Sequence, residues 1–136
     1  LIHARTLDLP VDSKGLVGVD ELYAPDEKDM QLLEAGQGKS NAPLSFSIRF
    51  HLHPEVTPNL EADSASVSLT LATGDIWVFR CQPDIKLTLD ESIYFEDGRQ
   101  FPRPSLQIVL TGTIKEIATR VRWSLVKASE NPQKAP

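Results

Sequence analysis

A single cysteine, Cys81, stands in 136 residues, so no internal disulfide is possible and the fold must be held by its core. That usage suits a cytoplasmic protein and equally a periplasmic one without bridges, which leaves the compartment open. No window approaches about 18 consecutive apolar residues, which excludes a membrane-spanning helix. Basic residues are outnumbered, 14 against 19, giving a net charge of −5. Nucleic-acid binders usually carry a basic stripe, so neither nucleic acid nor a membrane is the expected partner. An acidic sugar polymer stays open, because a local basic patch can coexist with an acidic total. A phosphate-binding glycine loop of Walker or dinucleotide type is also missing. The chain opens on Leu1 without a basic segment followed by an apolar one, and upstream sequence is expected in the intact protein.

What is present is alternation. The length is that of one domain able to bury a proper core, and 40 % apolar with 24 % charged residues is ordinary for a globular domain. Helical periodicity is weak except over Asp26 to Ala35, where Met30, Leu33 and Glu34 fall at helical spacing. That stretch lies within a Gly-, Asn- and Pro-rich region running to Pro43 and reads as a long connection.

The clearest strand is Leu44 to His53. Leu44, Phe46, Ile48, Phe50 and Leu52 share one face; Ser45, Ser47, Arg49, His51 and His53 share the other. Pro54 then stops the ladder. Period-two segments recur at Leu16–Leu22, around Val67 to Leu71, at Ile76–Cys81, Ile85–Leu89, Leu106–Leu110 and Ile117–Val126, with turn signals at Thr73-Gly74-Asp75 and Asp97-Gly98. Roughly eight or nine short strands with turns every 8–12 residues predict an all-β fold, an antiparallel β-sandwich. One domain is expected over residues 1–128, followed by a disordered polar tail over 129–136 that carries two prolines.

Arg49, His51 and His53 form the sharpest chemical feature. At alternate positions on a strand they point the same way, about 6.5–7 Å apart. The guanidinium can grip a carboxylate or sulfate at two points, beside two imidazoles. The plainer reading is a polar outer face. Two histidines could also serve zinc, but a third ligand is not evident and no metal is expected. His3 reads as hydrogen-bonded structure. Trp123 shares a side with Val121 and Leu125, and Trp77 with Phe79 and Cys81, so both read as core and Cys81 as unreactive. Asp90 and Glu91 are adjacent on a strand and point to opposite faces, so they cannot work as a carboxylate pair. Arg99 and Arg103, flanked by Pro102 and Pro104, form a small basic loop: exposed by default, a contact to another domain on the sharper reading.

Several segments resemble, in order, one family. Ile48-Arg49-Phe50-His51-Leu52-His53-Pro54 resembles the R-F-H-L-H-P strand of heparinase II/III-like proteins, particularly those of alphaproteobacterial type. Thr73–Arg80 is similar to their G-x-x-W-x-F-R hairpin, Leu89–Tyr94 to L-E-E-S-V-Y, Gln107–Gly112 to Q-I-V-L-S-G, Val121–Leu125 to V-x-W-x-L, and Leu1–Arg5 to L-I-H-x-R. The resemblance runs from about Leu1 to Lys127 and implies the carboxy-terminal β-sandwich portion of a larger protein. It also implies a partner, the amino-terminal α/α toroid of the same full-length chain, and a chemistry, β-elimination of uronate-containing polysaccharides. In that reaction one group neutralises the carboxylate, a base takes the ring proton, and an acid, usually a tyrosine, protonates the leaving oxygen. Most of that machinery belongs to the toroid and the first part of the sandwich. The chain is therefore expected to be inactive in isolation, with no catalytic residue and no cofactor of its own. Two alternatives stand beside this: a carbohydrate-binding or domain-docking module, gripping acidic polymers through Arg49, His51 and His53 more tightly in mildly acid solution, where imidazoles take up protons, and a family member that is not a lyase.

Overall fold

The computed structural model describes residues 1–24, 28, 31, 44–114 and 118–129. Among the described residues nine strands form two antiparallel sheets packed face to face: β1 Ile2–Asp8, β2 Gly15–Tyr23, β3 Ser45–His51, β4 Thr57–Leu60, β5 Ser66–Thr70, β6 Ile76–Cys81, β7 Lys86–Tyr94, β8 Arg103–Thr113 and β9 Ala118–Ser129. One sheet has six strands, ordered β1-β2-β9-β6-β5-β4; the other has three, ordered β3-β8-β7. The expected sandwich is the observed architecture.

Each alternating segment buries its apolar side. Ile48 on β3, Leu87 on β7 and Ile108 and Leu110 on β8 meet Val67, Leu69, Phe79, Val121 and Trp123 from the larger sheet. Phe50 bridges the layers, its ring 4.9 Å from Trp123 and 5.1 Å from Phe79. Both turn signals close hairpins: Gly74 (φ 89°) joins β5 to β6, and Gly98 (φ 80°) joins β7 to β8, each in the left-handed region that glycine adopts freely.

Three boundaries differ from the sequence reading. Ladder pairing of β3 ends at His51, although the Leu52 N–H still donates to the Leu106 carbonyl at 3.0 Å. Strand β7 runs on past the expected end at Leu89 to Tyr94. Strand β4 was not foreseen, since four residues containing Pro58 give little alternation; it sits at a sheet edge, where a missing N–H is tolerated. Strand β9 runs through Ser129, and the tail expected beyond it lies outside the described residues, as does nearly all of 26–35.

Candidate functional site

On the outer face of the three-stranded sheet, β3 and β7 flank β8, and side chains reach across it in three successive pairs. Arg49 Nη1 lies 3.8 Å from Asp90 Oδ2. His51 Nδ1 and Ser92 Oγ share a 2.8 Å hydrogen bond. The rings of His53 and Tyr94 meet edge-on, 4.8 Å apart. The row therefore faces outward, as alternation requires, but it is not a row of free cations.

Beneath these pairs lie the outward residues of the central strand, Val109 and Gln107, only 3 % and 9 % exposed. The Gln107 Nε2 donates to the Glu91 carbonyl at 2.9 Å, while Gln107 Oε1 and Ser105 Oγ are buried without a hydrogen-bond partner among the described residues. Buried unpaired acceptors are costly, so this is the part of the face where a ligand hydroxyl or amine would gain most. His53 Nδ1 accepts the Glu55 backbone N–H at 3.1 Å, which in the neutral imidazole leaves the proton on Nε2. In that tautomer Nε2 can donate to a ligand but cannot take a ring proton. At His53 the arrangement is suited to holding, not to abstraction.

Asp90 and Glu91 point to opposite faces, as their adjacency dictates: Asp90 joins Arg49 outside, while Glu91 opposes Leu106 on the other face. Among the described residues, no three His, Cys, Asp or Glu side chains gather as a metal-ligand set. Cys81 packs against the core, where burial and then the nearby Asp84 charge push its thiol above its ordinary value of 9.0.

A second polar cluster escaped the sequence reading. Asp20, 0 % exposed, sits on the inner face of β2. It accepts His3 Nε2 at 2.6 Å, Arg5 Nε at 2.7 Å and Nη2 at 3.3 Å, and the indole N–H of Trp123 at 2.7 Å. Burial alone would raise its pKa, but the hydrogen bonds from Arg5, His3 and Trp123, with the Arg5 charge, hold the carboxyl below its ordinary value of 3.8. Arg5 also stacks over Phe50, 4.7 Å from the ring centre. His3 is thus structural, as expected, and its partners ignore the Arg-His-His row. The available signal was an acidic residue at an alternating position shared with Leu16 and Leu22. For the outer face it was the alternation of Asp90, Ser92 and Tyr94.

With this geometry in hand, known proteins give a consistent picture. Residues 1–124 match the family described as heparinase II/III-like, C-terminal. FtsZ-localized protein C of Caulobacter vibrioides is 32 % identical over 131 residues, which cover 94 % of this chain and 21 % of that protein. The chain thus spans about a fifth of its relative's length. A match over nearly the whole sandwich, from β1 into β9, shows that the chain belongs to the heparinase II/III-like family, as its carboxy-terminal domain.

Proposed function

We propose that this chain is the non-catalytic closing sandwich of a polysaccharide lyase, and that β-elimination of a uronate-containing polymer is carried out by residues elsewhere in the full-length protein. The observation that carries the reading is the engagement of the domain's own candidate groups. Arg49 is tied to Asp90, His51 to Ser92, and His53 to the Glu55 N–H and the Tyr94 ring. Elimination needs a free base and an acid converging on one sugar ring, whereas these groups brace strands. Family membership supports the chemistry assigned to the rest of the protein. The test is the ultraviolet absorbance of unsaturated uronates, followed with heparin-like and alginate-like polymers. Full-length protein should generate it and the isolated domain should not. Activity in the isolated domain would refute the non-catalytic role; an inert full-length protein would refute the lyase assignment.

A second reading is favoured by the relative's name, which denotes localisation with FtsZ rather than a lyase. Here the domain is a docking or carbohydrate-binding module of a non-lyase protein, holding acidic polymers through Arg49, His51 and His53. A fluorescent fusion that gathers at the division site, in a protein inert on uronate polymers, would select it; a dispersed fusion would reject it.

A further inference from the structure

The face of β7 that builds the core does not stop where the core stops. Along it Leu87 is 4 % exposed, Ile93 57 % and Phe95, just past the strand, 73 %. On β8 the same face runs from buried Leu110 and Ile108 through half-buried Leu106 to exposed Pro104. Strand β3 accompanies β8 only to the His51–Gln107 pair, so Ser92–Ser105, Ile93–Pro104 and Tyr94–Arg103 continue as a two-stranded ribbon. An apolar face therefore extends past its own cover, and Phe101 at the tip is 72 % exposed.

The ribbon is braced. Glu96 accepts Arg99 Nε at 2.7 Å and pairs with Arg103 Nη1 at 3.4 Å, while the Arg99 N–H donates to the Glu96 carbonyl at 3.2 Å. Tyr94 leans on His53 behind it. The cations that mark this loop in the sequence thus hold the tip's shape. Between the ribbon and the turn carrying Val56 lies a cleft of about 820 Å³. Glu91 lines it and has no ion partner among the described residues. Exposed aromatics on a braced ribbon are the pattern of an interface, and the Glu91 carboxylate is the exception within it. Covering that carboxylate demands a cation opposite it.

We propose that the inner face of the β7–β8 ribbon (Glu91, Ile93, Phe95 and Pro104, with Val56) docks the amino-terminal portion of the same protein, which contributes an apolar segment bearing a Lys or Arg opposite Glu91. This rests on the chain being one part of a larger family member, not on lyase chemistry. About four-fifths of the matched relative lies outside the matched stretch, enough to supply such a surface within one chain at high effective concentration. A second copy would bring the same acidic surface to the contact, and like charges oppose that pairing. The domain's net charge of −5 also favours a basic partner.

The experiment uses full-length protein with a benzophenone-bearing phenylalanine in place of Phe95, irradiated and digested. Cross-links should join residue 95 to the amino-terminal portion within a monomer-sized product. Cross-links to a second copy, to another protein, or to nothing would each overturn the proposal. In parallel, Glu91→Lys and Phe95→Ser should each speed proteolytic separation of the domain from the rest by about tenfold, about 1.4 kcal/mol of lost docking. Val11→Ser, at a fully exposed site in the β1–β2 turn, should leave it unchanged. Equal rates in all three would also overturn the assignment. None of these readouts depends on polymer cleavage, so docking and lyase activity can fail separately.

Discussion

Trp123 donates its indole N–H to the buried carboxylate of Asp20, 2.7 Å away and 103 residues distant in sequence. The bond joins the inner faces of neighbouring strands β2 and β9, and through Arg5 it reaches the Phe50 ring of the opposite sheet. Edge strand β1, whose side chains are almost all exposed, is tied down by His3 and Arg5 on this single acceptor group.

Removing that acceptor should be severe. Asp20→Ala leaves the indole N–H, the guanidinium and the imidazole without their partner and is expected to cost about 3–5 kcal/mol. Asp20→Asn keeps one acceptor and should cost less, about 1–3 kcal/mol. Urea unfolding measures both; a loss under about 0.5 kcal/mol for the alanine variant would show the cluster to be energetically idle.

The same carboxylate sets an acid limb. Its pKa is lower in the folded chain than its ordinary 3.8, so its contribution is complete above that value and disappears as pH falls through the folded value. The stability gap between the native protein and Asp20→Asn should narrow as pH falls below about 4. A gap unchanged down to about pH 2 would contradict the ionised, bonded state.

Gly18 makes the Asp20–Trp123 bond possible. A Cβ there would run into Cζ2 and Cε2 of the indole, so Gly18→Ala must displace the ring. Expected are a loss of about 1–3 kcal/mol and a shifted indole N–H resonance, the signature of an altered hydrogen bond. An unperturbed resonance would mean the backbone yields instead.

Cys81 should alkylate slowly in the native state near neutral pH and rapidly in denaturant, since burial and Asp84 keep its thiol protonated. Equal rates would contradict its packing.

On the outer face, Arg49→Ala should change stability by less than about 1 kcal/mol, because the Arg49–Asp90 pair is half exposed on both sides. If the row holds acidic oligomers, the same variant should weaken that binding severalfold in calorimetric titration. Loss of stability together with binding would mark a structural role only.

The sandwich was legible because period-two alternation states which side of each strand is apolar. Phe46, Ile48 and Phe50 against Arg49 and His51 are sorted by the pleat before any partner is known. Strand β4 was not legible, because four residues with a proline carry no periodic signal and its place depends on β5 alongside. The candidate row was found, but its pairing with Asp90, Ser92 and Tyr94 was not: they lie 41 residues away for Arg49–Asp90, His51–Ser92 and His53–Tyr94 alike, and across an intervening strand.

The sequence alone determined the class of fold, the family, and the outward aim of Arg49, His51 and His53, since each follows from local alternation or from the order of short motifs. Tertiary structure alone decided that Asp20 is a buried ionised hub, that the row is internally paired, and that the β7–β8 ribbon carries its apolar face beyond its cover. Those facts depend on which strands become neighbours and how far each sheet extends over the other. Both are settled only when non-local pairings close the sandwich, and no stretch of neighbouring residues encodes them by itself.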